Sequence, residues 1–395
     1  MTLPEQRPLR VFIVAGEESG DALGGPLMRA LADRLQGRVT FRGVGGTRMQ
    51  AAGLVSLFPM DDLTAIGFGE VIGKLPTIVR RLRETVAAIL ADPPDLLMLV
   101  DAPDFTHRVA ARVRRRLPDL AIVKYVAPTV WAWRPGRARA MRGTIDRVLA
   151  LLPFEPEVMR RLGGPPTTYV GHPLLGALDT LRPDGDEQAL RDGEPPVLLV
   201  LPGSRRREIE RLGADFGAAV GLVAAARPVR PVLPTLPRLE GLIRAATASW
   251  PVAPEIVTGE EAKHAAFRRA RAALAASGTV TLELALAGVP MVAAYKVSAW
   301  EAVIARRVLK GFSVILPNIV LGRPVVPEFL QEACTPAALA AALEPLLAGG
   351  PAREAQIAGF AELDRLMSTG GVAAEFVAAD AVLATVSGRG VIGTS

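Results

Sequence analysis

Ala275-Ala276-Ser277-Gly278-Thr279-Val280-Thr281-Leu282-Glu283-Leu284-Ala285-Leu286-Ala287-Gly288-Val289-Pro290 decides how the chain folds. Ala272 to Ala275 reads as a short buried strand, and Ser277-Gly278-Thr279 as a turn that can open a helix over about Thr279–Ala287. Gly288 suits the helix C-terminus, and Pro290 stands where a helix cannot continue. Met291 to Tyr295 is the next buried strand. The first N–H groups of such a helix favour phosphate or another anion. Glu283 falls one turn beyond Thr279, on the same face, where a carboxylate can accept hydrogen bonds from ribose hydroxyls. The same pattern also fits an ordinary βαβ unit whose Ser and Thr only cap the helix.

The rest of the chain repeats that alternation. With 395 residues, half of them apolar and few aromatic, it predicts a large α/β protein with buried parallel strands in two domains. Cys334 is alone, which excludes an internal disulfide framework and a cysteine zinc site, and fits a reducing compartment. No apolar run reaches the roughly 18 residues of a membrane span, and Met1 to Arg7 lacks the apolar core of a signal peptide. The net charge of +6 favours anionic partners. No basic array interleaved with aromatics is present, so no nucleic acid is expected.

Leu9 to Ala15 is a first buried strand ending in Gly16-Glu17-Glu18-Ser19-Gly20-Asp21. The loop is neither a dinucleotide fingerprint nor a P-loop. Its carboxylates disfavour phosphate and suit sugar hydroxyls, although Ser19 or Asp21 can equally cap the following helix. Asp95 to Val100 is another strand, and Asp101 follows at the edge where open α/β sheets bind ligands. There it can be a general base or a turn carboxylate. A strand through Val126 leads to Val130-Trp131-Ala132-Trp133-Arg134, where aromatics can stack on sugar or acyl groups and Arg can grip phosphate. Core packing competes for at least one of the two Trp. Leu63 to Arg83 is apolar, glycine-punctuated and ends in an Arg cluster, which suits either a membrane surface or a core segment beside a solvated helix face.

Leu181 to Pro196, rich in Asp, Glu, Gly and Pro, reads as a linker. The Asp184-Gly185-Asp186 triplet inside it is in the wrong setting for a metal site, and no metal or cofactor is expected elsewhere. Past the linker, Val197 to Leu201 is a strand leading into Pro202-Gly203-Ser204-Arg205 and a helix. A glycine, a helix start and an Arg make a plausible diphosphate cradle. The expected divisions are 1–180, 181–366 and a helical tail at 367–395 that packs back on the first domain. An amphipathic helix is expected from Trp300 to Leu309.

Several strings resemble the lipid-A-disaccharide synthase family in its order: Val14-Ala15-Gly16-Glu17-Glu18-Ser19-Gly20-Asp21, Asp101-Ala102-Pro103-Asp104-Phe105, Val130-Trp131-Ala132-Trp133-Arg134, Leu151-Leu152-Pro153-Phe154-Glu155, Gly171-His172-Pro173, Leu201-Pro202-Gly203-Ser204-Arg205, Ala276-Ser277-Gly278-Thr279 with Glu283, and Leu316-Pro317-Asn318. They span about Val11 to Leu330. Glu18, Gly45 and Thr129 depart from the familiar pattern without removing a group assigned to chemistry.

The resemblance implies two Rossmann-like domains of the GT-B type with a cleft between them, and an inverting transfer. UDP-2,3-diacylglucosamine would donate its sugar to the 6-hydroxyl of 2,3-diacylglucosamine 1-phosphate, giving a β-1,6-linked disaccharide 1-phosphate and UDP. It makes Asp101 the general base, with Glu17 as runner-up or sugar ligand. Gly203, Ser204 and Arg205 would hold the diphosphate, Ser277, Gly278 and Thr279 phosphate, Glu283 the ribose, and Asn318 the nucleotide or sugar. Ser19, Trp131, Trp133 and Arg134 would line the acceptor or lipid site. Acylated substrates make Ile66 and Phe68, in the Leu63–Arg83 segment, the expected docking residues on the cytoplasmic face of the inner membrane; a homodimer is also entertained. A UDP-N-acetylglucosamine 2-epimerase on the same fold, or a non-catalytic basic protein binding anionic lipid or nucleic acid, would share part of this pattern.

Overall fold

Strands that run between two layers of helices are buried on both faces, so they read as unbroken apolar runs. The computed structural model, which describes residues 7–63, 68–298 and 313–388, is built of such strands. Two compact units divide it: 1–173 together with 369–395, and 174–368.

In the first unit, β1 (Leu9–Ala15), β2 (Val39–Val44), β3 (Val55–Ser56), β4 (Leu96–Val100), β5 (Ala121–Tyr125), β6 (Arg147–Ala150) and β7 (Thr167–Tyr169) form one sheet in the order β3-β2-β1-β4-β5-β6-β7. All its neighbours pair in parallel. Strand side chains alternate between faces. Val11, Ile13 and Ala15 therefore join Leu27 and Leu31 of the helix Glu18–Arg34, together with Val382 and Val386 near the C-terminus. Phe12 and Val14 join Val109 and Val113 of the helix Pro103–Arg114 on the other face. The helix Ala374–Ser387 lies on the first of these faces. Asp380 takes two bonds from Arg34, at 2.8 and 2.9 Å, and Arg147 donates to Thr385 at 2.8 Å.

The second unit holds β8 (Val197–Leu201), β9 (Arg230–Thr235), β10 (Glu255–Thr258), β11 (Ala270–Ala276), β12 (Met291–Tyr295) and β13 (Glu328–Leu330). They too are parallel, in the order β10-β9-β8-β11-β12-β13. The decisive stretch folds as β11, a turn and the helix Thr279–Leu286, with Gly288 at a φ of 67° where the helix stops.

The expected linker belongs to this unit. Asp184 caps the helix Gly185–Arg191 in a capping box with Glu187, which is why the acidic triplet is there. Arg191 is buried and donates to the carbonyls of Phe267, Arg268, Ala287 and Gly288, at the C-terminal ends of two helices. A cation there offsets the partial negative charge of both helix ends. The boundary thus falls after Pro173 rather than at 180. The helix expected from Trp300 to Leu309 lies outside the described residues. Among the described residues, no helix is long and apolar enough to cross a membrane.

Candidate active site

The first unit's strand order places β1 beside β4 with their connections leaving in opposite directions, the switch point where open sheets take ligands. Ala15 and Val100 are register partners there, so the loops after them lie side by side. Ser19 Oγ donates to Asp101 Oδ2 at 2.8 Å, joining the two loops. Asp101 and Ala102 both have left-handed backbones, at φ of 47° and 41°, a conformation that costs a non-glycine residue about 1–2 kcal/mol. Gly16 permits the approach, since a Cβ there would sit 2.8 Å from the Ala102 Cβ. Glu17 is the exposed residue before the helix Glu18–Arg34. Asp21 is buried and accepts from the backbone N–H of Gly46, Arg48 and Met49 at 2.8–3.0 Å, capping the helix Thr47–Ala51. Its role is therefore structural.

The two Trp of the 130–134 loop differ. Trp131 stands edge-on to Phe154, with ring centroids 5.5 Å apart, and its Nε1 lies 3.4 Å from the Glu155 carboxylate. Glu155 is 4% exposed, and burial pushes its carboxyl up to about 7 against the bonds from Leu152 N–H and the Trp131 indole. Trp133 is 41% exposed, with the Arg134 guanidinium 4.1 Å and the Arg137 guanidinium 5.6 Å from its ring centroid. Of the expected docking pair, Ile66 lies outside the described residues, and Phe68 begins the helix Phe68–Ala91.

In the second unit, one cavity of about 490 Å³ gathers Gly203, Ser204, Arg205, Ser277, Gly278, Thr279 and Glu283. It opens at the C-terminal ends of β8 and β11, again at the turn of strand order. Val280 and Thr279 begin a helix at its wall, and the first N–H groups of a helix have no acceptor within it. Glu283 is held by Lys263 at 3.0 Å, and Lys263 lines the same cavity. Lys263 is a cavity residue the sequence patterns did not single out; it sits in a separate helix, Glu260–Arg269, 20 residues from its partner.

Two expectations change. The Ser204 and Arg205 N–H groups, expected to cradle diphosphate, are taken by Glu208 Oε2 at 3.0 and 3.2 Å. Gly203, at a φ of 124°, makes room for that carboxylate; a Cβ would come within 2.4 Å of it. A bound diphosphate therefore competes with Glu208 for these donors. Asn318, expected to contact nucleotide or sugar, is instead fully buried and not among the cavity walls. Its Nδ2 donates to Val326 O and Glu328 Oε1, and its Oδ1 accepts from Val325 and Val326 N–H. Those four bonds use both its donors and both acceptor positions, so it fixes the Val325–Val326 backbone and the Glu328 carboxylate. Ser277 Oγ is likewise spent on Val314 O at 2.9 Å, leaving its backbone for the cavity.

Two parallel-sheet units, each with its chemistry-bearing loops at the switch point, define the GT-B glycosyltransferase architecture. A calicheamicin glycosyltransferase, CalG4, matches with a TM-score of 0.58 at 17% identity, over 96% of this chain and 99% of that one. The UDP-GlcNAc 2-epimerase from Neisseria meningitidis, solved bound to UDP-GlcNAc, matches with a TM-score of 0.62 at 11% identity, over 96% of this chain and 100% of that one. Identities this low speak for the fold alone. The sequence profile of the lipid-A-disaccharide synthetase family matches residues 11–378, and the chain belongs to that family. The lipid-A-disaccharide synthase of Nitrobacter hamburgensis is 58% identical over 378 residues, which is 95% of this chain and 96% of that one. The protein is thus a glycosyltransferase of lipid A disaccharide synthesis; the epimerase reading retains only the shared fold, and the non-catalytic reading falls away.

Proposed function

We propose that the enzyme transfers 2,3-diacylglucosamine from its UDP derivative to the 6-hydroxyl of 2,3-diacylglucosamine 1-phosphate. Asp101 takes the hydroxyl proton as its oxygen attacks the anomeric carbon, the bond to the diphosphate breaks, and the configuration inverts. The observation that carries this reading is the Asp101 carboxylate, held by Ser19 on a strained backbone at the edge of the first sheet. Strain of this kind persists where the surroundings over-determine it, commonly at functional sites. Glu17, one loop away, is the alternative base or a sugar-hydroxyl ligand. In the second unit, Glu283 takes the ribose hydroxyls. The Thr279 helix start and Arg205 stabilise the departing diphosphate.

Asp101→Asn keeps the side-chain shape and removes the base. Turnover is expected to fall about 10³-fold with UDP binding intact. Near-normal turnover would remove Asp101 as base and pass the role to Glu17.

Trp133, capped by Arg134 and Arg137, suits an acceptor bearing both a sugar ring and a phosphate. Because both substrates carry acyl chains, the 63–83 segment is the membrane-docking element, with the enzyme peripheral on the cytoplasmic face of the inner membrane. In liposome flotation with anionic vesicles, Ile66→Glu/Phe68→Glu is expected to lose most binding. Recovery equal to wild type would exclude the segment.

A further inference from the structure

Lys124 is the fourth residue of β5 and is 1% exposed, in the middle of a strand otherwise made of apolar and aromatic residues. A lysine so placed is expensive to keep. Its ammonium reaches the one feature nearby that needs holding, the left-handed Asp101–Ala102 turn. Nζ donates to the Asp101 carbonyl, and lies 3.2 Å from Thr106 Oγ1. Thr106 Oγ1 itself bonds the Asp101 and Ala102 carbonyls at 3.0 Å each. The Asp101 N–H is meanwhile held by Tyr125 O at 3.0 Å. Every polar group of Asp101's backbone is therefore fixed, and Ser19 fixes its side chain.

We infer that Lys124 is a positioning residue for the transfer: it clamps the Asp101 turn from beneath and supplies the positive charge that faces the carboxylates of Asp101 and Glu17. The inference rests on Asp101 being the base. The groups facing Lys124 are Asp101 and Glu17 from the two loops, and Thr106 and His107 from the helix Pro103–Arg114. Burial pulls the Lys124 ammonium down to about 7, while Asp101 and Glu17 oppose that fall. His107, half-buried on the helix Pro103–Arg114, is pulled down to about 4 by burial and by Lys124 and Arg137, with Asp104 opposing. The charge balance at the site is thus carried by Lys124 rather than by His107.

The test uses the full-length enzyme with both acylated substrates, comparing wild type, Lys124→Met, Lys124→Gln and Asp101→Asn. Taking one partner from a buried charged contact costs stability, so the thermal midpoint of Lys124→Met is expected to fall, and its kinetics are read well below that midpoint. Its kcat is expected to fall about 10–100-fold while donor KM and UDP affinity stay within about twofold, since the second unit is untouched. Lys124→Gln keeps a donor for the Asp101 carbonyl, so it is expected to recover part of the kcat lost in the Met variant with donor KM again unchanged. It also carries the test should the Met variant fail to fold. No recovery of kcat in the Gln variant, a wild-type kcat in the Met variant, or a kcat loss that only tracks a lowered midpoint overturns the proposal. If Asp101→Asn is inactive and the Lys124 variants behave as wild type, only this inference fails. If Asp101→Asn is active, the reading beneath it fails as well.

Discussion

The two units place their candidate sites at the same position in the same kind of sheet, yet build them by opposite means. The first spends strain and buried charge: non-glycine residues at positive φ, a lysine under the loop, a carboxylate tied to a neighbouring serine. The second spends space: Gly203, Ser277 and Gly278 leave a cavity of about 490 Å³ with two helix starts at its wall. On the proposed roles, a general base has to be aimed, which an over-determined turn does, and a nucleotide diphosphate has to be admitted, which an open cavity beside a helix start does. The comparison makes different kinds of failure the expected result of mutation in each unit, with the Asp101→Asn loss the largest.

Next in size is Arg205→Ala. The Arg205 side chain is 82% exposed and pairs with Glu208 at 3.3 Å, an exposed contact it can leave to swing to a diphosphate. Loss of one cation from a leaving-group site is expected to cost about 10²-fold in kcat, with the acceptor KM unchanged. A change confined to donor KM would show that Arg205 binds ground state and transition state alike, and that helix starts alone stabilise the leaving group.

Smaller is Glu283→Ala. A hydrogen bond to a charged group is worth about 1.5–3 kcal/mol, which predicts a donor KM raised about tenfold or more with acceptor KM kept. Lys263→Met tests the same contact from behind. If the Glu283–Lys263 pair sets the carboxylate's aim, the Lys263 variant reproduces a weaker form of the donor defect. Equal donor KM in both variants and wild type would move ribose recognition elsewhere in the cavity.

These expectations also mark what the sequence could and could not carry. Backbone-defined features were legible, because glycines, helix starts and apolar runs act locally. The β11 turn, the β8 turn and the Asp101 strand end were all visible. Features made by side chains meeting across the fold were not. Lys263 meets Glu283 from another helix, Lys124 meets Asp101 from the next strand but across 23 residues of chain, and Glu208 reaches back over its own helix start. Asn318 looked like a ligand residue, because a polar side chain in an apolar string has no visible partner until the Val325–Val326 backbone and the Glu328 carboxylate are folded over it. The 181–196 stretch looked like a linker for the converse reason. Its polarity is spent on capping, by Asp184 at one helix start and by Arg191 at two helix ends.

The smallest expected effect concerns stability, and it asks whether the first unit stores cost in buried charge away from Asp101 too. Glu155 is pushed from an ordinary 4.5 up to about 7 by burial beside Trp131. For an acid whose folded value is raised, the folded state binds the extra proton between those two values. Its contribution is therefore favourable below about pH 4.5, is lost as pH rises towards 7, and is a full cost above that. Gln at 155 is neutral throughout, and its single amide oxygen can accept from the Leu152 N–H or from the Trp131 indole, which meet different oxygens of Glu155, but not from both. Glu155→Gln should therefore lower the thermal midpoint slightly at pH 4.5, and its midpoint relative to wild type should rise by a few degrees by pH 8. The wild type's own decline between these values should flatten by the same amount. A difference that does not change with pH would mean that Glu155 is solvated in the folded protein. Costly buried charge would then be confined to the Asp101 turn, sharpening the contrast between the two units to one loop.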